Sequence, residues 1–510
     1  MTARLDSLTS WHADWSGLRV AVLGLGMTGF SVADTLVELG ASPVVYAGAH
    51  DGDRERILEV LGVPVHVEPG LPSVPAELIE QAPELVVASP GFAPHHPVLV
   101  WAAEHGLPVW GDVELAWRVR DKHVDAAGEP ARWLAITGTN GKTTTTQLTA
   151  HMVREGGLRV APVGNIGVPV LDAVRDPAGF DVLAVELSSY QLHSTSTMSP
   201  HASVVLNIAD DHLDWHGSAE AYRLAKGRVY ERTRVACVYN RADEATRRLV
   251  EDADVVEGCR AIGFGLDAPG PSDLGVVEGI LVDRAFLDER HRRALELTTL
   301  DELERVGMAV PHLVQDILAA AALARSVGVE PESIARAVAT FSVDRHRHEV
   351  LGERAGVTWI DDSKATNQHA ADASLRAHPS VVWVVGGLLK GVDIAPFVAE
   401  HASRLRAAVV IGVDRAPVTA AFAQHAPGVP VVEIDVSDTD AVMPRVVAEA
   451  RALAREGDAV LLAPAAASMD QFESYGDRGE RFAQAVRAAW EETGDGEAGE
   501  DSQHGTTERD

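Results

Sequence analysis

Cysteine is almost missing from this 510-residue chain: only Cys237 and Cys259 occur, with no CxxC pair. That excludes a disulfide framework and a cysteine-rich zinc site, and it fits a reducing cytoplasm. Lysine is nearly as scarce. Of the 44 basic residues, five are lysines, at 122, 142, 226, 364 and 390, and the rest are arginines. A chain so biased toward arginine keeps lysine where arginine will not serve, and four of the five fall in the motifs below. No run of about 18 uninterrupted apolar residues exists, so no membrane insertion is expected. The opening MTARLDSLTSWHADW has two acids and no apolar core, which argues against a secretory signal. Positive charge is lacking overall, with a formal net charge of −31. That excludes nucleic acid and anionic membranes as partners, but not anionic small molecules met by locally focused cations.

The length suggests about three domains. Strand-like apolar runs alternate with helix-period segments, the pattern of an α/β protein with parallel sheets. The expected layout is a Rossmann-like N-terminal domain over 1–128, a central P-loop ATPase-like parallel sheet over 129–343, and a Rossmann-like C-terminal domain over 344–490. The last residues, 491–510, hold eight acids and one arginine and read as a disordered tail. The Gly/Pro/Asp-rich stretch 265–275 reads as a loop interrupting the central block.

Gly24-Leu25-Gly26-Met27-Thr28-Gly29 follows the strand LRVAVLG and opens a helix, the GxGxxG pattern that brings backbone amides to a phosphate. A nicotinamide dinucleotide would require an acid closing the second strand, but that strand ends Val45-Tyr46-Ala47-Gly48. That disfavours a nicotinamide site, and the turn reads first as a site for another nucleotide diphosphate, with a merely structural turn as the rival.

The strongest signal is Gly138-Thr139-Asn140-Gly141-Lys142-Thr143-Thr144, between the strand WLAIT and a helix. Backbone amides of such a loop cradle phosphates, Lys142 reaches the β/γ oxygens, and the Thr143 hydroxyl ligates Mg²⁺. The strict GxxxxGK[ST] spacing is not met, because Ile136 occupies the place of its first glycine. Glu186 ends the strand VLAVE, and Asp210-Asp211-His212 follows the next strand. Acids at strand carboxyl ends face the ligand crevice of α/β sheets, and Glu with His can ligate a divalent ion. A plain solvated loop is the rival reading for 210–212. In the helix around Lys226, Tyr222, Ala225 and Val229 share its inward side. A buried lysine is costly, so the residues alone favour an exposed or salt-bridged Lys226. Carbamylation by CO₂, which arginine cannot undergo, would instead make it an anionic oxygen ligand.

Taken together, GTNGKT (138–143), ELSSYQL (186–192), NIADDHLDWHG (207–217), the Lys226 helix, HRHE (346–349), DDSKATN (361–367), GGLLKG (386–391) and APAAASMDQF (463–472) resemble the Mur ligase family over about residues 18–490. The third block resembles the branch that adds D-glutamate to UDP-N-acetylmuramoyl-L-alanine in peptidoglycan precursor synthesis. An amide ligase of the same family with another amino acid or acceptor, including the folylpolyglutamate type, is the alternative. The resemblance implies a cytoplasmic monomer using ATP with one or two Mg²⁺ through an acyl phosphate. It implies catalytic roles for Lys142, His212 and Lys226. ATP would be held by Gly138 to Thr144, Asp316, Arg347 and Asp362. Metal would be held by Thr143, Glu186, His212 and Lys226, the last as a carbamate. Met27, Thr28, Gly91, Asn165 and Ser188 would contact the UDP-sugar. Lys364, Thr366, Lys390, Ser468 and Tyr475 would hold D-glutamate, with Arg347, Lys364 and Lys390 forming a local positive cleft. The chain departs from the pattern at Ala47, where an acid usually meets uracil, at His312-Leu313-Val314-Gln315-Asp316 in place of HNxxN, and at Ala466 and Tyr475, where Cys and Phe are usual.

Overall fold

The computed structural model describes residues 2–342, 345–435 and 438–491. The tail expected from 491 lies outside these residues from 492 onward, as does the domain boundary expected at 343–344. The chain separates into two compact units, divided after Ser342. The first unit contains two sheets and the second contains one.

Five strands, β1 (Arg19–Leu23), β2 (Ser42–Ala47), β3 (Val65–Val67), β4 (Leu85–Ala88) and β5 (Val109–Gly111), form an all-parallel sheet in the order β3-β2-β1-β4-β5. Alternate residues of β1 pack to opposite faces. Val20 and Val22 join one apolar cluster, and Ala21 and Leu23 join another. Both faces are thus covered, as a parallel sheet requires.

The second sheet comprises β6 (Arg132–Thr137), β7 (Val160–Gly164), β8 (Val182–Glu186), β9 (Ala202–Val205), β10 (Ala236–Asn240), β11 (Arg260–Phe264), β12 (Asp273–Val277), β13 (Ile280–Asp283) and β14 (Leu295–Thr299), ordered β14-β13-β12-β11-β10-β9-β6-β8-β7. Its strands β6 to β12 pair in parallel, and an antiparallel extension is added at one edge, where β13 runs antiparallel to both β12 and β14. The loop expected over 265–275 ends at Ser272, since Asp273 already begins β12. The cause is a two-residue hairpin turn. Val277 pairs with Ile280, and Glu278 and Gly279 both take positive φ, 49° and 81°. Such turns match the natural twist of antiparallel strands.

In the second unit, β15 (Glu349–Arg354), β16 (Val357–Asp361), β17 (Val381–Gly386), β18 (Leu405–Ile411), β19 (Val431–Glu433) and β20 (Ala459–Leu462) run in the order β15-β16-β20-β17-β18-β19. All neighbours are parallel except β15 with β16. Here too the two-residue strand period divides two cores. Val381, Trp383 and Val385 face one, and Val382 and Val384 the other.

Candidate functional site

In the second sheet β8, β6 and β9 are adjacent and parallel, so their carboxyl ends open on one edge. β6 delivers the loop Gly138–Gly141 and the helix Lys142–Glu155. β8 delivers Glu186, and β9 delivers the segment from Asn207 to His212. This is the crevice in which α/β sheets bind ligands.

The loop is held from several sides. Asn207 Oδ1 accepts from the Asn140 amide (2.8 Å), and Asn207 Nδ2 donates to the Asn140 carbonyl (3.2 Å). The Thr139 hydroxyl meets the Tyr222 hydroxyl at 3.0 Å and accepts from the Ala209 amide at 2.9 Å. Gly141 has φ 81°, and a Cβ there would sit 2.3 Å from Asp316 Oδ1. Glycine is therefore required by both backbone and space. The same contact brings the buried Asp316, in the helix Pro311–Ser326, against the loop. Lys142 Nζ donates to the carbonyls of Gly138 and Thr139, both at 2.9 Å, so its ammonium folds over the loop. Thr143 is half-buried, while Thr144 is buried.

Lys226 is not the exposed lysine that the residues alone allowed. It is 2% exposed, and Nζ donates to Gly138 O at 2.8 Å and to Thr137 Oγ1 at 3.4 Å. Its nitrogen also lies 4.8 Å from the centre of the Tyr222 ring. The apolar partners Tyr222, Ala225 and Val229 are buried with it, which carries the side chain under the loop.

Glu186 is also buried. Oε1 accepts from Asn165 Nδ2 at 2.9 Å, and Oε2 has no hydrogen-bond partner among the described residues. An orphaned buried carboxylate oxygen is costly alone and well suited to a hard cation. The segment 210–212 is not a plain solvated loop. Asp211 is 4% exposed and accepts from the His212 amide at 2.9 Å. His212 takes φ 54°, and its Nδ1 hydrogen-bonds the Tyr190 hydroxyl. Tyr190 in turn stacks on Trp215, ring centres 4.5 Å apart. Nearby His216 is held down to about 4 by burial, then by His193 and Lys226. At this edge the Glu186 Oε2 oxygen is the group with spare capacity for a divalent cation.

The first sheet lends its own edge. β1 and β4 are neighbours, and past them lie Met27 and Thr28, opening the helix Met27–Glu38, and the exposed Gly91. A side chain at Gly26 would meet nothing within 4 Å, so the turn before that helix stands open. A cleft of about 220 Å³ opens between this edge and the second sheet, lined by residues including Ser89, Phe92, Tyr190, His193 and Trp215. Ser188 lies beside Glu186 in sequence, but its hydroxyl caps the helix Ser189–His193 by accepting from the Gln191 amide at 3.2 Å.

In the second unit β16, β20 and β17 are adjacent. Asp362, Lys364 and Thr366 follow β16, Lys390 follows β17, and Ser468 follows β20. Leu388 and Ala467 exchange backbone hydrogen bonds of 2.9 and 3.0 Å, tying the Lys390 loop to the Ser468 loop. Lys364 Nζ lies 4.8 Å from the centre of the Tyr475 ring. Asp362 is pushed up to about 6, chiefly by burial, and accepts from the Ser374 hydroxyl and the His348 amide. Arg347 Nε is buried with no partner among the described residues, a donor in want of an anion.

Sequence reasoning gave no role to Asn207, Tyr190, Tyr222 or Arg478. Arg478 is fully buried and donates to Ser363 Oγ, Ser363 O and Ala466 O (2.9, 2.7 and 3.2 Å), joining the loops after β16 and β20. Asn207 closes the strand ASVVLN, so its place at a strand end was the available signal. The tyrosines gave no signal beyond helical spacing.

The fold and these edges define an α/β protein with a glycine-rich phosphate-type loop beside a buried strand-end carboxylate. Sequence profiles of three domains match in chain order: the Mur ligase MurD-like N-terminal domain over 18–111, the Mur ligase middle domain over 136–324, and the Mur ligase glutamate ligase domain over 346–466. The chain belongs to the Mur ligase family. A protein of Leifsonia xyli subsp. xyli named UDP-N-acetylmuramoylalanine–D-glutamate ligase is 62% identical over 490 residues, 95% of each chain. One of the same name from Streptomyces avermitilis is 53% identical, covering 93% of this chain and 99% of its own. Among solved structures, a pseudomurein peptide ligase type C from Methanothermus fervidus shares the fold with a TM-score of 0.55 at 16% identity, covering 93% of this chain and 100% of its own. A murein peptide ligase from Psychrobacter arcticus does so with a TM-score of 0.54, also at 16% identity, covering 92% and 99%.

Proposed function

We propose that this chain is a cytoplasmic ligase that joins D-glutamate to the alanyl carboxylate of UDP-N-acetylmuramoyl-L-alanine, coupled to conversion of ATP to ADP and phosphate. The observation that carries the reading is the meeting of the loop 138–144, Glu186 and His212 at the ends of three neighbouring strands. High identity to full-length relatives bearing that name supports the choice of substrates.

The chemistry asks the chain mainly for positioning and charge neutralisation. Amides of the loop and the Lys142 ammonium grip the β- and γ-phosphates. Asn207 and Tyr222 keep the loop in shape for them. An alanyl carboxylate oxygen attacks the γ-phosphorus, and ADP departs. The D-glutamate nitrogen then attacks the acyl carbon, phosphate leaves, and the nitrogen gives up a proton. Mg²⁺, when bound by Glu186, Thr143, His212 and carbamylated Lys226, supplies neutralisation of the crowded phosphoryl oxygens. In the second unit, Arg347 and Asp362 serve the nucleotide, while Lys364, Thr366, Lys390, Ser468 and Tyr475 receive D-glutamate. Met27, Thr28, Gly91, Asn165 and Ser188 serve the UDP-sugar. With Ala47 at the end of β2, uridine is held without a carboxylate there.

The test is phosphate release from ATP with Mg²⁺, UDP-N-acetylmuramoyl-L-alanine and D-glutamate, omitting each in turn. The expected result is release only with all present. Equal release without D-glutamate would make the protein a nucleotide hydrolase instead, and preference for another amino acid would move it within the family.

A further inference from the structure

The only two cysteines of the chain touch. They are 22 residues apart in sequence, yet Cys237 Sγ and Cys259 Sγ lie 3.7 Å from each other. Cys237 is the second residue of β10 and is 2% exposed. Cys259 immediately precedes β11 and is half-buried. The parallel register sets Cys237 against Ala261. Cys259, two residues before Ala261, therefore projects from the same face of the sheet. Both thiols are free, at the amino-terminal end of the strands, opposite the edge that carries the phosphate loop.

We infer that Cys237 and Cys259 form a redox-modification site, closing to an intramolecular disulfide on reaction with a low-molecular-weight disulfide. Closure needs the sulfurs to approach by about 1.7 Å to reach a bonded separation. The chain can give on one side, because 253–259 lies outside any helix or strand and Gly258 takes φ 91°. The neighbourhood is suited to thiol chemistry. The Ser203 hydroxyl points to Cys237 Sγ at 3.8 Å and meets the Thr233 hydroxyl at 2.7 Å. A soft-metal site is disfavoured, since no cysteine joins a cluster of three ligands among the described residues. The hydrogen bond between the thiols holds Cys259 below the usual thiol range and pushes Cys237 up. The more exposed sulfur is thus also the readier thiolate, which fixes the order of events.

The Cys259 thiolate attacks one sulfur of the reagent, breaking its S–S bond and expelling one small thiolate. The Cys237 thiol then gives up its proton and attacks Cys259 Sγ, expelling the second. Two protein thiols are oxidised and one small disulfide is reduced to two thiols.

The test treats native, full-length protein with oxidised glutathione, quenches with a maleimide in denaturant, and reads the intact mass. The expected product has lost two hydrogens, carries neither glutathione nor maleimide, and regains both thiols with dithiothreitol. Cys237→Ser should retain a glutathione adduct at Cys259, and Cys259→Ser should leave Cys237 reduced. The inference is overturned if wild type accumulates the Cys259 adduct with Cys237 free, forms disulfide-linked dimers, or keeps both thiols. The wild-type mass alone decides it should either variant fail to fold.

Discussion

Lys142 and Lys226 donate to the same acceptor, the carbonyl oxygen of Gly138, at 2.9 and 2.8 Å. Two ammonium groups on one carbonyl lie close, and at about 5 Å and an effective dielectric near 20 they repel by roughly 3 kcal/mol. A carbamate on Lys226 would turn this like-charged pair into an opposite one. Lys226→Ala is expected to lower the ligase rate at least about 100-fold. Short carboxylates in the buffer should restore part of it, and Lys226→Arg should show no activity and no rescue. Full activity in Lys226→Ala would remove the carbamate from the mechanism.

The neighbouring Lys142 makes a separate claim. Lys142→Ala removes a half-buried cation that donates to the loop carbonyls of Gly138 and Thr139. ATP-dependent phosphate release should fall by about 100-fold or more, while the melting temperature changes little. Ordinary phosphate release from this variant would take the phosphates away from the loop.

Glu186 Oε2 has no hydrogen-bond partner among the described residues, while Oε1 is engaged by Asn165. Glu186→Gln preserves an acceptor for Asn165 and deletes the anion. The Mg²⁺ concentration giving half-maximal activity should rise about 10–100-fold. An unchanged Mg²⁺ dependence would show that the cation is bound elsewhere.

The legible part of the molecule was what period and strand ends encode. β6 and β8 begin and end within a residue of the runs RWLAIT and DVLAVE, because their interiors are buried on two faces and must be apolar. The loop 138–144 and Glu186 follow from those strands. Both edge strands of the second unit were lost. β15 and β19 are only partly buried, so their alternation is blurred. The β12–β13 hairpin hid in a Gly/Pro-rich stretch, although its Glu278-Gly279 turn was a usable signal. Burial of Lys226 was illegible for another reason. Its partners, Gly138 O and Thr137 Oγ1, are 88 and 89 residues away in sequence, and only tertiary packing brings them to it.

Tyr475 offers its ring to Lys364 Nζ at 4.8 Å. A cation over an aromatic face is worth about 0.5–2 kcal/mol. Tyr475→Phe keeps the ring and should leave the KM for D-glutamate within about twofold. Tyr475→Leu should raise it roughly 3–30-fold, with kcat less affected. Equal effects of the two variants would assign the role to the hydroxyl instead.

Asp112 links the first sheet to the cation edge. It follows β5, is 5% exposed, and accepts from Gln191 Nε2 at 3.0 Å, while its Oδ1 has no partner among the described residues. Gln191 belongs to the helix Ser189–His193, whose Tyr190 holds His212. Burial pushes the Asp112 carboxyl up to about 6 against the opposing Gln191 hydrogen bond. The folded chain therefore holds this proton more tightly than the unfolded chain. The associated stability is present below the unfolded value, about 4, and is lost as pH rises through about 6. Asp112→Asn mimics the protonated form and still offers Gln191 an acceptor. It should be no more stable than wild type near pH 4, and more stable near pH 8 by up to about 3 kcal/mol. Denaturant melts of both proteins across that range give the difference. A difference independent of pH would show that folding does not feel the ionisation of Asp112.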